Sequence, residues 1–186
     1  MRAEATNYYC TLPEALERRW TLLATGRGVR AVLFGLEELE AEAERLRARS
    51  PGAAFAEDAA PFEEFGVLDR LRRYFAGETV GFEGIPLDPA GTDFQLDTWT
   101  ALGRIPYGEV RTYGELARDV GRPKAVRAIG AAVGRNPLPL LLPCHRVVGS
   151  NGTLTGFRGG LRLKQRLLSL EGARPMKDAG HDRFRF

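Results

Sequence analysis

Residues 19–25 (RWTLLAT) and 29–35 (VRAVLFG) are two apolar runs separated only by Gly26-Arg27-Gly28, a pattern that predicts a β-hairpin. The period then changes. Residues 36–49 (LEELEAEAERLRAR) carry acids early and arginines late, as the dipole of a helix prefers, and Ser50-Pro51-Gly52 stops the run. Residues 61–77 predict a second helix, with Phe62, Phe65, Leu68, Leu71 and Phe75 at three- and four-residue spacing and Gly77 as its end. Residues 80–92 (VGFEGIPLDPAGT) are rich in Gly and Pro and have no period, which places a domain boundary near residue 88.

Beyond that boundary the pattern is mostly helical. Asp93 is the expected cap of 94–105, where Phe94, Ala101, Leu102 and Ile105 form the apolar stripe and Trp99 lies towards its edge. Thr112 is the expected cap of a short helix over 113–120, Gly121-Arg122 its turn, and Pro123 the first residue of the next helix. Leu116, Ala117, Val120 and Gly121 follow the apolar, small, apolar, glycine pattern of a helix-turn-helix, which an ordinary αα-hairpin can share. The prediction is an α+β protein. A small α/β domain spans 1–88, a mostly helical domain with a winged helix-turn-helix-like unit spans 89–173, and a tail spans 174–186.

Charge changes the picture more than composition does. The net charge of +3 divides into −7 over residues 1–100 and +10 over residues 101–186, so the basic half is the one suited to a polyanion. No apolar stretch approaches the roughly 18–20 residues of a membrane span, and no secretory signal is visible, which predicts a cytoplasmic protein. Two cysteines and two histidines leave little for a disulfide framework or a metal site.

The second helix of the pair has an unusual surface. At about 100° per residue, Val126, Ile129 and Val133 fall on one side and are expected to point inward. The remainder offers Lys124, Arg127, Ala128 and Ala131, with Gly130 and Gly134 along one edge. A merely solvated face carries long polar side chains for helix propensity and solubility. Small residues around one arginine suit a bulky partner that approaches the backbone closely, such as a DNA groove.

Downstream, residues 136–152 (NPLPLLLPCHRVVGSNG) set Cys144 beside His145. A free cysteine next to an apolar run is commonly buried filler. Here, however, Pro143 frees the pair from strand alternation, and two glycine-rich loops, 149–152 and 156–160, follow closely. An unperturbed thiol is only a few per cent ionised at neutral pH, so a nucleophilic Cys144 needs a base, and His145 is the candidate. Of the six acids beyond residue 100, Glu171 is the best placed to orient that histidine.

Together, IPYGEVRTYGELA, VRAIGAAVGRNPLPLLLPCHRVVGSNG and TGFRGGLRLKQRLLSLEG resemble the O6-alkylguanine-DNA alkyltransferase family over roughly residues 92–172. The Pro-Cys-His-Arg-Val core is the specific part; the N-terminal domain resembles the family's accessory domain only in layout. The resemblance implies single-use DNA repair. Cys144 would accept the alkyl group from O6-alkylguanine, with O4-alkylthymine a second candidate base. His145 would act as base through a bound water, partnered by Glu171.

The same resemblance implies that Asn136 stiffens the junction before Cys144 and that Tyr113 donates a hydrogen bond to the departing guanine. Arg127 would fill the stack left by the flipped base. The carbonyls of Cys144 and Val147 would take the guanine amino group, and Phe157 with the backbone of Arg158 would line the pocket. Lys124, Thr112, Ala128, Gly130 and Ala131 would lie along the DNA. The partner would be double-stranded DNA, entered through its minor groove by a monomer.

Two departures matter. Some members hold zinc in the N-terminal domain, but here that domain has only Cys10 and no histidine, so no metal or other cofactor is expected. Phe157 stands where many members have tyrosine. Two other classes remain at this point: a helix-turn-helix regulator or lesion sensor with an inert Cys144, and a cysteine hydrolase using Cys144, His145 and Glu171. Lesion sensors related to the family lack the acceptor cysteine, and a hydrolase has no use for the stripped helix face.

Overall fold

The structure, a computed structural model, describes residues 6–173. These divide into two compact units, one of residues up to Glu78 together with Phe82–Ala90, the other of Thr79–Gly81 and the chain from Gly91.

The first unit is built on a sheet of order β3-β2-β1-β4, from β1 (Asn7–Thr11), β2 (Thr21–Thr25), β3 (Gly28–Leu33) and β4 (Phe55–Glu57). The expected hairpin is β2–β3, antiparallel, with Leu22 opposite Val32 and a bulge at Leu23/Ala24. Strand β1 pairs antiparallel with β2, and β4 parallel with β1. Between β3 and β4 runs helix α1 (Leu36–Arg49), whose Leu39 packs with Leu23, Ala31 and Leu33 on one sheet face. Consecutive strand residues face opposite ways, and here both faces are covered. That is why β2 is an unbroken apolar run and not an alternating one.

The helix expected over 61–77 is two helices, α2 (Ala60–Glu64) and α3 (Val67–Phe75). They are broken at Gly66, whose φ of 71° lies in the left-handed region that glycine adopts at little cost. The break rotates the buried stripe: Val67 and Tyr74 join Phe62, Leu68 and Leu71 in the core, while Phe65 and Phe75 are half-buried. The Phe75 ring still stacks on Trp20, centroids 5.2 Å apart.

The second unit carries the helices. Helix α4 (Asp93–Leu102) is capped by Thr92, not Asp93: Thr92 and Gln95 form a reciprocal capping box. Trp99 is buried, not marginal, and its indole donates to the Ala132 carbonyl at 2.8 Å, tying α4 to a later helix. Strand β5 (Arg111–Thr112) leads into α5 (Tyr113–Asp119), capped as expected by Thr112 in a box with Glu115.

After the left-handed turn at Gly121 comes α6 (Val126–Gly134). The start of α6 differs from expectation. Pro123 and Lys124 lie in the turn before it, and Val126 is 39% exposed; the inward face is Ile129, Ala132 and Val133. With Ala125 as the cap, Val126 begins the first turn, before the packing against α4 and α5 takes hold.

The apolar run 138–143 forms no strand. It turns through Leu140, a non-glycine residue at φ 75°, into a 3-10 turn over Cys144–Arg146. Strand β6 (Val147–Val148) then pairs parallel with β5. This two-residue bridge sets the start of the helix-turn-helix beside the end of the cysteine turn. Helix α7 (Leu161–Leu170) follows, with Glu171 as its C-cap.

Candidate active site

Cys144, His145 and Arg146 occupy successive positions of the 3-10 turn and are all buried. Asn136 holds the loop that delivers them. Its amide donates to the Leu142 carbonyl at 2.6 Å and its oxygen accepts from the Leu138 amide at 3.0 Å. The turn closes further when the Cys144 amide donates to the Leu142 carbonyl at 2.7 Å.

At the end of α7, Glu171 meets this turn. Its Oε1 lies 2.8 Å from Nε2 of His145. Arg146 reaches the same carboxylate from Nε to Oε2 at 2.8 Å and from Nη2 to Oε1 at 3.0 Å. Burial works to raise the Glu171 pKa, but the hydrogen bonds and charges of His145 and Arg146 outweigh it and bring it down to about 2. Glu171 is therefore a carboxylate at neutral pH and only accepts, so Nε2 of His145 carries the hydrogen. Burial lowers the His145 pKa, against the pull of Glu171, and keeps the ring neutral. Its Nδ1 is then an acceptor, and it is buried with no hydrogen-bond partner among the described residues.

Cys144 rests as a thiol, because burial pushes its pKa up. Acting the other way, in order, are a hydrogen bond from Asn136 and the charges of Lys164 and Arg158. Lys164 is fully buried in α7, where its ammonium donates to the carbonyls of Val147 and Thr155 at 2.5 and 2.8 Å. Burial brings its pKa down to about 8, opposed by the negative charge that Cys144 can carry. At Cys10 burial pushes the thiol up to about 12; the charge of Arg72 opposes this, and those of Glu57 and Glu63 add to it.

Two hollows near the cysteine have lining residues in common. A cavity of about 350 Å³ is lined by Tyr113, Val126, Arg127, Gly130, Ala131, Gly134, Thr155 and Gly156. A narrower cleft holds Cys144 among Asn136, Pro139, Phe157 and Arg158, and shares Gly134 and Gly156 with the first. The Phe157 ring is edge-on to His145, centroids 6.5 Å apart. Tyr113 accepts from the Thr155 hydroxyl at 3.4 Å and is half-buried, and loss of solvent around its hydroxyl raises its pKa and keeps it a donor.

On the approach, Arg127 and Ala128 are exposed, and Gly130 and Ala131 half-buried. Thr112 caps α5, and Lys124 is exposed in the turn before α6 and absent from the cavity lining. The carbonyls of Cys144 and Val147 each already hold a donor, the Val147 amide and Lys164 respectively. Each retains a second lone pair.

Comparison with known proteins shows what kind of chain this is. Residues 93–173 match the DNA-binding domain of 6-O-methylguanine DNA methyltransferase, and residues 18–89 match its ribonuclease-like domain. This chain belongs to the 6-O-methylguanine DNA methyltransferase family. It is 46% identical over 128 residues to the inducible methylated-DNA–protein-cysteine methyltransferase of Bacillus subtilis, covering 69% of this chain and 70% of that one. A Methanosarcina acetivorans methylated-DNA–protein-cysteine methyltransferase is 55% identical over 104 residues, covering 56% of this chain and 66% of its own length. Two crystal structures of Mycobacterium tuberculosis proteins share the fold. The O6-methylguanine methyltransferase gives a TM-score of 0.72 at 37% identity, covering 92% of this chain and 96% of that one. An OGT in complex with DNA gives 0.73 at 40%, covering 88% and 92%.

Within this family site, three contributors were missed from the sequence. Lys164 had a readable signal, a cation among the inward positions Leu163, Leu167 and Leu168 of α7. Arg146 had only its adjacency to His145. Gly108 carried none: its φ is 74°, its amide donates to Glu171 Oε2 at 3.4 Å, and a Cβ there would meet the Glu171 backbone oxygen at 2.9 Å. Among the described residues no group of three or more His, Cys, Asp or Glu is placed to hold a metal ion. No helix among them is long and apolar enough to cross a membrane.

Proposed function

We propose that this chain repairs DNA by moving the alkyl group of an O6-alkylguanine onto Cys144. The observation that carries the reading is the buried Cys144 in a narrow cleft that shares Gly134 and Gly156 with the cavity lined by Arg127. Arg127 and the small residues of α6 lie in the minor groove of double-stranded DNA, and the damaged base is turned out into the cleft. Extrusion costs a few kcal/mol, which the inserted arginine partly offsets.

The thiol proton passes to Nδ1 of His145, by way of a water, while Nε2–H stays on Glu171. The sulfur electron pair forms the new S–C bond as the C–O6 bond breaks towards guanine. The proton removed from sulfur ends on the base, and the Tyr113 hydroxyl donates a hydrogen bond to it as it leaves. Lys164 faces the thiolate as it forms, and Phe157 and Arg158 wall the base. No residue of the site hydrolyses a thioether, so each monomer acts once. The chain works in the cytoplasm, where Cys144 stays reduced.

Intact-mass measurement after mixing with a duplex containing O6-methylguanine tests this. The expected result is a gain of one methyl group on Cys144, one equivalent of base restored, and no second turnover. DNA binding without mass gain would instead favour a regulator, and turnover of an ester without mass gain a hydrolase.

A further inference from the structure

Two side chains reach the Glu171 carboxylate, beside the Gly108 amide on Oε2, and they share an oxygen: Oε1 accepts from both Nε2 of His145 and Nη2 of Arg146. The arginine is itself fixed from behind. Its Nη1 donates to the Ile105 carbonyl at 2.6 Å, and its guanidinium lies 5.7 Å from the centroid of the Tyr107 ring. Tyr107 in turn donates to the Leu170 carbonyl at 3.2 Å, on the last turn of α7. The turn after α4, the cysteine turn and the end of α7 thus converge on one carboxylate.

We propose that Arg146 is a positioning residue for the alkyl transfer described above: it clamps Glu171 against His145 and balances its charge, so that His145 can both take and release the thiol proton. The proposal rests on that alkyl-transfer reading. A buried carboxylate alone beside an imidazole favours the imidazolium. An imidazole already protonated cannot accept the proton that leaves Cys144 as sulfur attacks carbon. The guanidinium opposes this, because its positive charge faces the same oxygens and works against a second cation on His145. Lys164 acts in the same sense from α7, and a negative charge formed on the neighbouring Cys144 acts in the opposite one. Only a planar fork can grip both carboxylate oxygens while a third nitrogen holds Ile105; an ammonium supplies the charge without the grip.

The experiment follows the His145 ring by NMR across about pH 5 to 9 in the full chain, for the unmutated protein, Arg146→Gln and Arg146→Lys. Single-turnover methyl transfer is measured over the same range. In Arg146→Gln the His145 midpoint should rise by about one pH unit or more, and the acidic limb of the rate profile should move with it. Arg146→Lys should keep the midpoint within about 0.3 of a unit yet transfer more slowly. An unmoved midpoint in Arg146→Gln, or a shift in Arg146→Lys as large as that in Arg146→Gln, overturns the proposal. If Arg146→Gln does not fold, Arg146→Lys decides alone: a wild-type midpoint with slowed transfer supports the role, and a displaced midpoint or an unchanged rate defeats it. The NMR midpoint needs no alkyl transfer. An unmutated chain that never gains a methyl group would therefore strike the repair reading, separately from the titration.

Discussion

Nε2 of His145 stands 2.8 Å from Oε1 of Glu171, and both side chains have no solvent exposure. The contact assigns the histidine tautomer, because a carboxylate can only accept. Glu171→Gln keeps the shape, and its amide oxygen can still accept from Nε2 where Oε1 does now. It removes, however, the negative charge that favours a proton arriving at Nδ1, so His145 becomes a weaker base. Methyl transfer should fall on the order of a hundredfold or more, the usual worth of a positioned base. Single-turnover rates on a methylated duplex check this.

The same carboxylate makes stability depend on acid. Its folded pKa of about 2 lies below the ordinary 4.5, so its contribution is fully present above about pH 4.5. It is lost as pH falls towards 2, and is on the order of 3 kcal/mol. Denaturant melts of the unmutated chain and Glu171→Gln at several pH values should converge in acid. A constant difference between them down to about pH 2 would mean that Glu171 is not held ionised.

Gly108→Ala should damage the site without touching a side chain of it. The new methyl would meet the Glu171 backbone oxygen at 2.9 Å, on a residue whose φ of 74° already disfavours a side chain. The expected cost is about 2 kcal/mol or more, with slower transfer because the Glu171 end of α7 must shift. Thermal melts and transfer rates measured together check it; a stable, fully active variant would refute the tight fit.

Lys164→Met removes the buried cation that favours a Cys144 thiolate. Modification of Cys144 by iodoacetamide should slow about tenfold near neutral pH and reach its plateau at higher pH, since thiolate and not thiol reacts. Peptide mapping separates this from Cys10, whose thiol is held at about 12. Equal rates in the two proteins would show that Lys164 serves only its two carbonyl partners.

How much of this was readable follows physical lines. The hairpin, α1, α5 and its Thr112 cap were visible because each rests on local pattern or local hydrogen bonds. Strands β1 and β4 were not: at five and three residues, they exist through pairing with distant partners. The break at Gly66 hides inside a periodic stripe, and a helix is favoured wherever the period persists. Val126 was misplaced because an angle on a helical wheel says nothing about where the neighbouring helices end. In the site, Cys144, His145 and Glu171 were chosen by chemical type, and the fold brings them together. Arg146 and Lys164 escaped because a charged side chain reads as surface until burial shows otherwise.

Arg127→Ala should hurt repair of a duplex lesion more than repair of the same base in a short single strand. Arg127 is exposed at the mouth of the cavity, and a side chain inserted into the stack offsets part of the extrusion cost only when there is a stack to leave. Transfer rates on the two substrates make the comparison. Equal losses would make Arg127 a phosphate contact.

The approach surface also limits how DNA can be read. Around Arg127 the cavity is lined by Val126, Gly130, Ala131 and Gly134, none of which has a side-chain hydrogen bond to give. A major-groove reader needs Asn, Gln, Arg or Ser at several such positions, each worth about 1–3 kcal/mol of discrimination. The exposed Val126 strengthens the case, because it puts one more apolar group where a reader would place a polar one. Binding to undamaged duplexes should therefore vary little with sequence. It should also weaken steeply with salt, because phosphate contacts from the basic half of the chain supply the affinity and release counterions. Competition among unrelated duplexes at two salt concentrations tests both. A preference of roughly a thousandfold for one undamaged sequence, the territory of specific readers, would defeat minor-groove entry, and affinity indifferent to salt would remove the phosphates from the account.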